Sequence, residues 1–168
     1  MLCFRTAGTR LVAVDRSAAR VARAQALGIG AVVLATSLRE TILPFQPEGA
    51  DVVVDATGHA PVLTDAVGLA RALPWGDENS AGARLVIQGS YPEGVAIPYA
   101  EVFARELQLI VLRECTVGDI HAVLDLVTRG LLLLAQVVSD VASPEDAASV
   151  YAESRTVDTS WVTAAFCW

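Results

Sequence analysis

Asp15 ends the run Arg10-Leu-Val-Ala-Val-Asp15. An acid at the carboxyl end of a buried strand sits on the rim where parallel α/β folds take up ligands. There it can accept hydrogen bonds from the hydroxyls of a ribose, while its charge repels a 2′-phosphate. The same acid could equally cap the following helix together with Ser17. Arg16 adjoins it, and Arg20 lies one turn into that helix, where its side chain can lean back toward the same rim. As a plain exposed cation on an amphipathic helix, Arg20 would need no ligand at all. Two further pairs, Thr57-Gly58 and Gly89-Ser90, each directly follow an apolar strand-like run. Small residues at such a point let a ligand approach the backbone and leave amides and hydroxyls available as partners. Turn chemistry alone would also place them there, but their recurrence at the ends of successive strands favours one shared crevice.

Other reactive residue types do not assemble into a site. His59 stands beside Gly58 at a helix start, and His121 lies within a later helix. Both read as cap, surface or packing residues, since no spacing joins either to a nucleophile or a second acid. Cys3, Cys115 and Cys167 are too far apart in sequence for the paired ligands of a zinc finger or ribbon. No catalytic residue and no metal ligand is therefore assigned.

The elements that must hold these residues alternate along the chain. Continuous apolar runs at 10–15, 31–34, 51–55, 84–88 and 107–112 read as strands covered on both faces. Helices are predicted over 18–27, 37–43, 60–73 and near 98–105, with Ser17 as a cap and Gly28 where a left-handed C-cap is wanted. The stretch 74–83 is turn-rich and reads as a loop. Beyond it the rhythm changes. A helix capped by Thr116 and stopped by Gly130 is followed by a short strand at 136–139, a helix start at 143–146 and a closing strand at 161–168. Strand–helix alternation through Leu112 demands crossovers and hence a parallel sheet with helices on its faces.

Composition narrows the class further. The 168 residues are 54% hydrophobic, with a formal net charge of −7, and every one of the 12 basic residues is arginine. Mean hydropathy is +0.48, the reverse of a disordered chain. A negative globule repels phosphate backbones, so no nucleic-acid partner and no membrane partner is expected. The apolar stretch at 130–138, interrupted by Gln136, falls well short of the roughly 20 residues of a membrane span. Scattered cysteines and no visible leader point to reduced thiols and a soluble, cytoplasmic protein.

The ordered set Val-Ala-Val-Asp15, Arg20, Ala-Leu-Gly28 and Ala-Asp-Val-Val-Val-Asp-Ala-Thr-Gly58 resembles the cofactor domain of the medium-chain dehydrogenases/reductases, the zinc-type alcohol dehydrogenase superfamily. Leu-Val-Ile-Gln-Gly-Ser-Tyr91, Phe-Ala-Arg-Glu-Leu107 and Pro-Glu-Asp-Ala-Ala-Ser-Val-Tyr151 extend the resemblance over essentially the whole chain. It implies a Rossmann-like doubly wound parallel sheet over 1–113 and a return segment, 114–168, that completes the catalytic domain. It implies a nicotinamide dinucleotide partner, NAD rather than NADP, held by Asp15, Arg16, Arg20, Thr57, Gly58, Gly89 and Ser90. It also implies a homo-oligomer built through the strand 107–112. The activity expected of the parent is hydride transfer between a secondary alcohol, or polyol, and nicotinamide.

Departures from the family pattern add expectations of their own. The Gly-rich phosphate loop and the strand before it have no counterpart here, and residues 1–8 resemble the tail of the helix that the loop would open. Zinc, if used, and the substrate pocket would belong to a catalytic domain outside these residues. Val111-Leu112 stand where the family usually has smaller residues, and the loop 74–83 is longer than its usual tight turn. The chain alone is then expected to be inactive, the alternative being a non-enzymatic Rossmann-like module acting in oligomerisation or binding.

Overall fold

Ser17 shows how local chemistry sets the first elements. Its hydroxyl accepts the Arg20 N–H at 3.4 Å and caps the helix that follows. Gly28 adopts φ +71° just past that helix, a conformation that favours glycine. In the computed structural model, residues 1–34, 37–77, 81–155 and 162–168 are described. The chain forms two compact units, one of Met1–Ala35 with Thr116–Trp168 and the other of Thr36–Cys115.

The first unit opens with helix α1 (Leu2–Thr6), strand β1 (Val12–Asp15), helix α2 (Ala18–Ala26) and strand β2 (Gly30–Val33). β1 and β2 pair in parallel, Val12 opposite Gly30 and Asp15 opposite Val33. Val21, Ala24, Ile29 and Ala31 form a small core under α2. The Arg5 guanidinium donates to the Leu27 carbonyl, a cation at the negative end of α2.

The second unit carries helix α3 (Leu38–Ile42), strand β3 (Val52–Asp55), helix α4 (Ala60–Val67), strand β4 (Arg84–Ile87), helix α5 (Tyr99–Ala104) and strand β5 (Gln108–Val111). Its sheet runs β3-β4-β5, all parallel, with Asp55, Ile87 and Val111 in line at the carboxyl ends. Leu63, Val67 and Leu85 are fully enclosed and anchor a core with Val53, Ile87 and Leu107. Burial of each such side chain contributes roughly 1.5–3 kcal/mol.

The remaining part of the first unit is helix α6 (Val117–Thr128), strand β6 (Val138–Ala142), helix α7 (Ala147–Ser154) and strand β7 (Thr163–Phe166), with short 3-10 turns at Leu134–Gln136 and Pro144–Asp146. β6 and β7 pair in parallel. Arg23 of α2 reaches this segment, donating to the Gln136 and Val138 carbonyls at 3.1 and 3.3 Å.

The strand–helix alternation and the parallel pairing are those expected from the sequence. The described residues have the α/β architecture of parallel strands joined by helices that a Rossmann-like fold uses. Three details differ. The helix expected over 60–73 stops at Val67, because Ala50 takes the next residues into a bridge: its N–H donates to Leu69 O and its carbonyl accepts Arg71 N–H, both at 2.9 Å. The helix expected from 143–146 begins as a 3-10 turn and becomes α-helical only at Ala147. The expected single sheet is divided, β1-β2 in one ladder and β3-β4-β5 in another. Among the described residues β1 and β3 each keep one edge without a strand partner. Residues 78–80 of the expected loop and Trp161 of the expected closing strand lie outside the described residues. No helix among the described residues is long and apolar enough to cross a membrane.

Candidate functional site

β1 delivers Asp15 to its carboxyl end, where α2 starts. The two oxygens of the carboxylate do different work. Oδ1 accepts the Ser17 N–H at 2.8 Å and closes the turn into the helix. Oδ2 lies 3.8 Å from the Arg20 guanidinium, a loose pair with both side chains about two-fifths exposed. An exposed ion pair of this kind contributes roughly 0–1 kcal/mol, so Oδ2 can change partners at little cost. The helix-entry reading of Asp15 is thus seen directly, and its second oxygen lies beside the Arg20 guanidinium. Arg16 next to it is exposed, and no ion pair or hydrogen bond holds its side chain among the described residues.

In the second unit, β3 and β4 end in register, so the loops after them emerge side by side. Thr57-Gly58 and Gly89-Ser90 are accordingly brought together, backbone against backbone. Gly58 has φ +68°, and a Cβ there would lie 2.7 Å from the Ser90 carbonyl oxygen. A Cβ on Gly89 would lie 2.5 Å from the Gly58 nitrogen. Neither position accepts a side chain without movement of main chain. Thr57 and Ser90 themselves are exposed at the surface of this junction.

Asp55 and Tyr91, which the sequence reading did not single out, hold the junction. Asp55 is 3% exposed. Its Oδ1 accepts the Thr57 N–H at 2.8 Å and the Thr57 hydroxyl at 2.7 Å, and its Oδ2 accepts the Tyr91 hydroxyl at 2.6 Å. Its main-chain carbonyl accepts the Gln88 and Gly89 N–H groups at 2.8 and 3.0 Å. Burial, and next the Asp55 carboxylate that accepts its proton, push the Tyr91 hydroxyl above the ordinary tyrosine range. The signal for Asp55 was present: it ends Val-Val-Val-Asp55 as Asp15 ends Val-Ala-Val-Asp15. Nothing local ties Tyr91 to it across 36 residues.

His59 is the N-cap residue of α4, exposed and without a side-chain cap bond, its N–H donating to Thr57 Oγ1 at 3.2 Å. His121 is exposed on α6. Among the described residues no three His, Cys, Asp or Glu side chains gather as a metal site, and the three cysteines are exposed. The Asp15 set lies in the first unit and the Thr57–Ser90 set in the second.

The chain is similar in fold to solved dehydrogenases. It superimposes on an alcohol dehydrogenase from E. coli CFT073 complexed with NADH, with a TM-score of 0.82 at 15% identity, over 99% of this chain and 48% of that one. For 2R,3R-butanediol dehydrogenase from Bacillus subtilis the TM-score is 0.78 at 20% identity, over 98% and 46% of the two chains. For a protein from Sinorhizobium meliloti 1021, described as a zinc-binding dehydrogenase and bound to NADP, it is 0.74 at 23% identity, over 99% and 48%. The chain thus spans about half the length of these structures. No curated protein matches it by sequence. The family model described as zinc-binding dehydrogenase matches residues 1–129. With most of its length matched on a fold that these dehydrogenases share, the chain belongs to the zinc-binding dehydrogenase family.

Proposed function

We propose that this chain is the dinucleotide-holding part of an NAD-dependent alcohol or polyol dehydrogenase. The observation that carries the reading is Asp15, a strand-end carboxylate with one oxygen fixed by the Ser17 amide and the other exposed beside Arg20. That second oxygen is an acceptor suited to a ribose diol, and its charge opposes a 2′-phosphate. Arg20 and Arg16 flank the adenosine end. Thr57-Gly58 and Gly89-Ser90, in the second unit, form a floor of small residues that lets a dinucleotide approach the backbone closely. When bound, the nicotinamide supplies the hydride acceptor for a secondary alcohol. This chain binds and orients, and residues 114–168 return to a catalytic part that provides the acid/base group and the electrophile. The NADH- and NADP-bound relatives support a nicotinamide cofactor.

Zinc does not fit the residues present. Cys3, Cys115 and Cys167 are exposed, with no ligand cluster among the described residues.

One observation favours a second role, as an oligomerisation module. Among the described residues β5 ends the three-stranded ladder, with Val111 75% and Leu112 51% exposed, an apolar edge suited to pairing with a second copy. Titration calorimetry of the 168-residue chain separates the readings. The dinucleotide reading expects saturable NAD binding at least tenfold tighter than NADP, with Asp15→Ala erasing the preference. Absence of binding to either nucleotide would leave the oligomerisation module as the surviving reading.

A further inference from the structure

The buried Asp55 carboxylate has no ion-pair partner among the described residues, and a hydroxyl from the neighbouring loop closes over it. A carboxylate so placed requires donors, because loss of a partner to a buried acceptor forfeits its solvation as well as the bond. Thr57 supplies two donors from its own loop, and Tyr91 supplies the third from across the junction. The Tyr91 ring, with Gly58, His59, Pro61 and Glu93, also lines a hollow of about 240 Å³ at the same rim. One residue therefore joins the strand-end acid, the loop after β4 and the wall of the hollow.

We propose that Tyr91 is a positioning residue for the dinucleotide: its bond to Asp55 latches the loop after β4 onto the loop after β3 and sets the spacing at which the Gly58 and Ser90 backbones are presented. The assignment rests on the reading of those two loops as the floor of the cofactor site. The two backbones leave no room for a side chain between them, since a Cβ on Gly58 would meet the Ser90 carbonyl oxygen at 2.7 Å. That closeness does not stop them from parting. Strand pairing ends at Asp55 and Ile87, and beyond it Asp55 binds Gln88 and Gly89 through its main chain and Tyr91 through its side chain. Without the hydroxyl, the segment from Ser90 onward loses its hydrogen bond to β3.

The test uses the complete chain and Tyr91→Phe, which keeps the ring and removes the hydroxyl, with Tyr99→Phe as an exposed control and Asp55→Asn as a second break in the latch. Circular dichroism first establishes that each variant is folded. Ultraviolet titration is expected to show a late tyrosine ionisation that is absent in Tyr91→Phe and moved down in Asp55→Asn. Hydrogen exchange over 56–60 and 88–92 is expected to quicken at least fivefold in Tyr91→Phe, with the core of α4 and β4 unchanged. NADH fluorescence titration is expected to weaken at least fivefold in Tyr91→Phe and not in Tyr99→Phe. Unchanged exchange in both loops of Tyr91→Phe overturns the latch. Faster exchange with unaltered NADH affinity, beside a wild type that binds, overturns the positioning role and spares the dinucleotide reading. A folded wild type that binds no NADH overturns both.

Discussion

At Gly58 two demands meet in one residue. Its φ of +68° and the 2.7 Å that would separate a Cβ there from the Ser90 carbonyl oxygen are separate reasons for the absence of a side chain. The left-handed conformation alone costs an L-residue roughly 1–2 kcal/mol, and the contact adds the displacement of a main-chain oxygen. Gly58→Ala is therefore expected to lower stability by about 2 kcal/mol in urea unfolding, while His59→Ala, one exposed position on, stays within about 0.5 kcal/mol. Equal effects from the two would show that the close approach is not a constraint. Asp15 and Asp55 present the same sequence signal, a run of valines ending in acid, and the structure gives them opposite surroundings. One is a part-exposed acid beside the Arg20 guanidinium; the other is enclosed and held by hydroxyl and amide donors. Sequence could not separate them, because what encloses Asp55 is a tyrosine from the loop after another strand.

Among the elements, those that formed as the sequence implied are those whose signals are local. Ser17 caps α2, Gly28 closes it, and Thr116 begins α6, each within a few residues of the apolar pattern it serves. The end of α4 was not legible in the same way. Helical spacing of apolar residues continues through Leu69 and Leu73, and the stop is imposed by Ala50, which lies far back in the chain. The cap of α6 carries a pH dependence of its own. Thr116 and Asp119 form a reciprocal capping box, and the bonds from the Thr116 amide and hydroxyl hold the Asp119 carboxyl below the ordinary carboxylate range. A carboxylate whose folded value is lowered contributes its stability above the unfolded value and loses it as pH falls through the folded one. Helicity followed by circular dichroism is expected to fall on acidification below about pH 4, and Asp119→Asn should remove that part of the loss. An acid limb identical in both proteins would contradict the box as the source.

For the whole molecule, edges are the feature that sequence conveyed least. An apolar run predicts a strand, but it does not say which neighbours that strand finds, and here β1, β3 and β5 each end a ladder among the described residues. The assembly proposed through β5 makes a direct prediction: in light scattering the 17.7 kDa chain is expected to show about twice its own mass. Val111→Lys, which places a charge on that edge, is expected to return it to one chain mass. A wild type that already runs at the mass of one chain at high concentration would exclude the edge as an interface. The division of the chain has a further consequence, in the order of synthesis. The second unit is one continuous stretch, 36–115, whereas the first is made from both sides of it. On a ribosome the second unit is complete while residues 116–168 have yet to emerge, and a domain folds as soon as its own residues are available. The first unit must wait: Arg23 is made early, but the Gln136 and Val138 carbonyls that receive its guanidinium come more than a hundred residues later. A nascent chain halted once Cys115 has cleared the exit tunnel would therefore hold one finished unit and one that still lacks the acceptors for its own arginine.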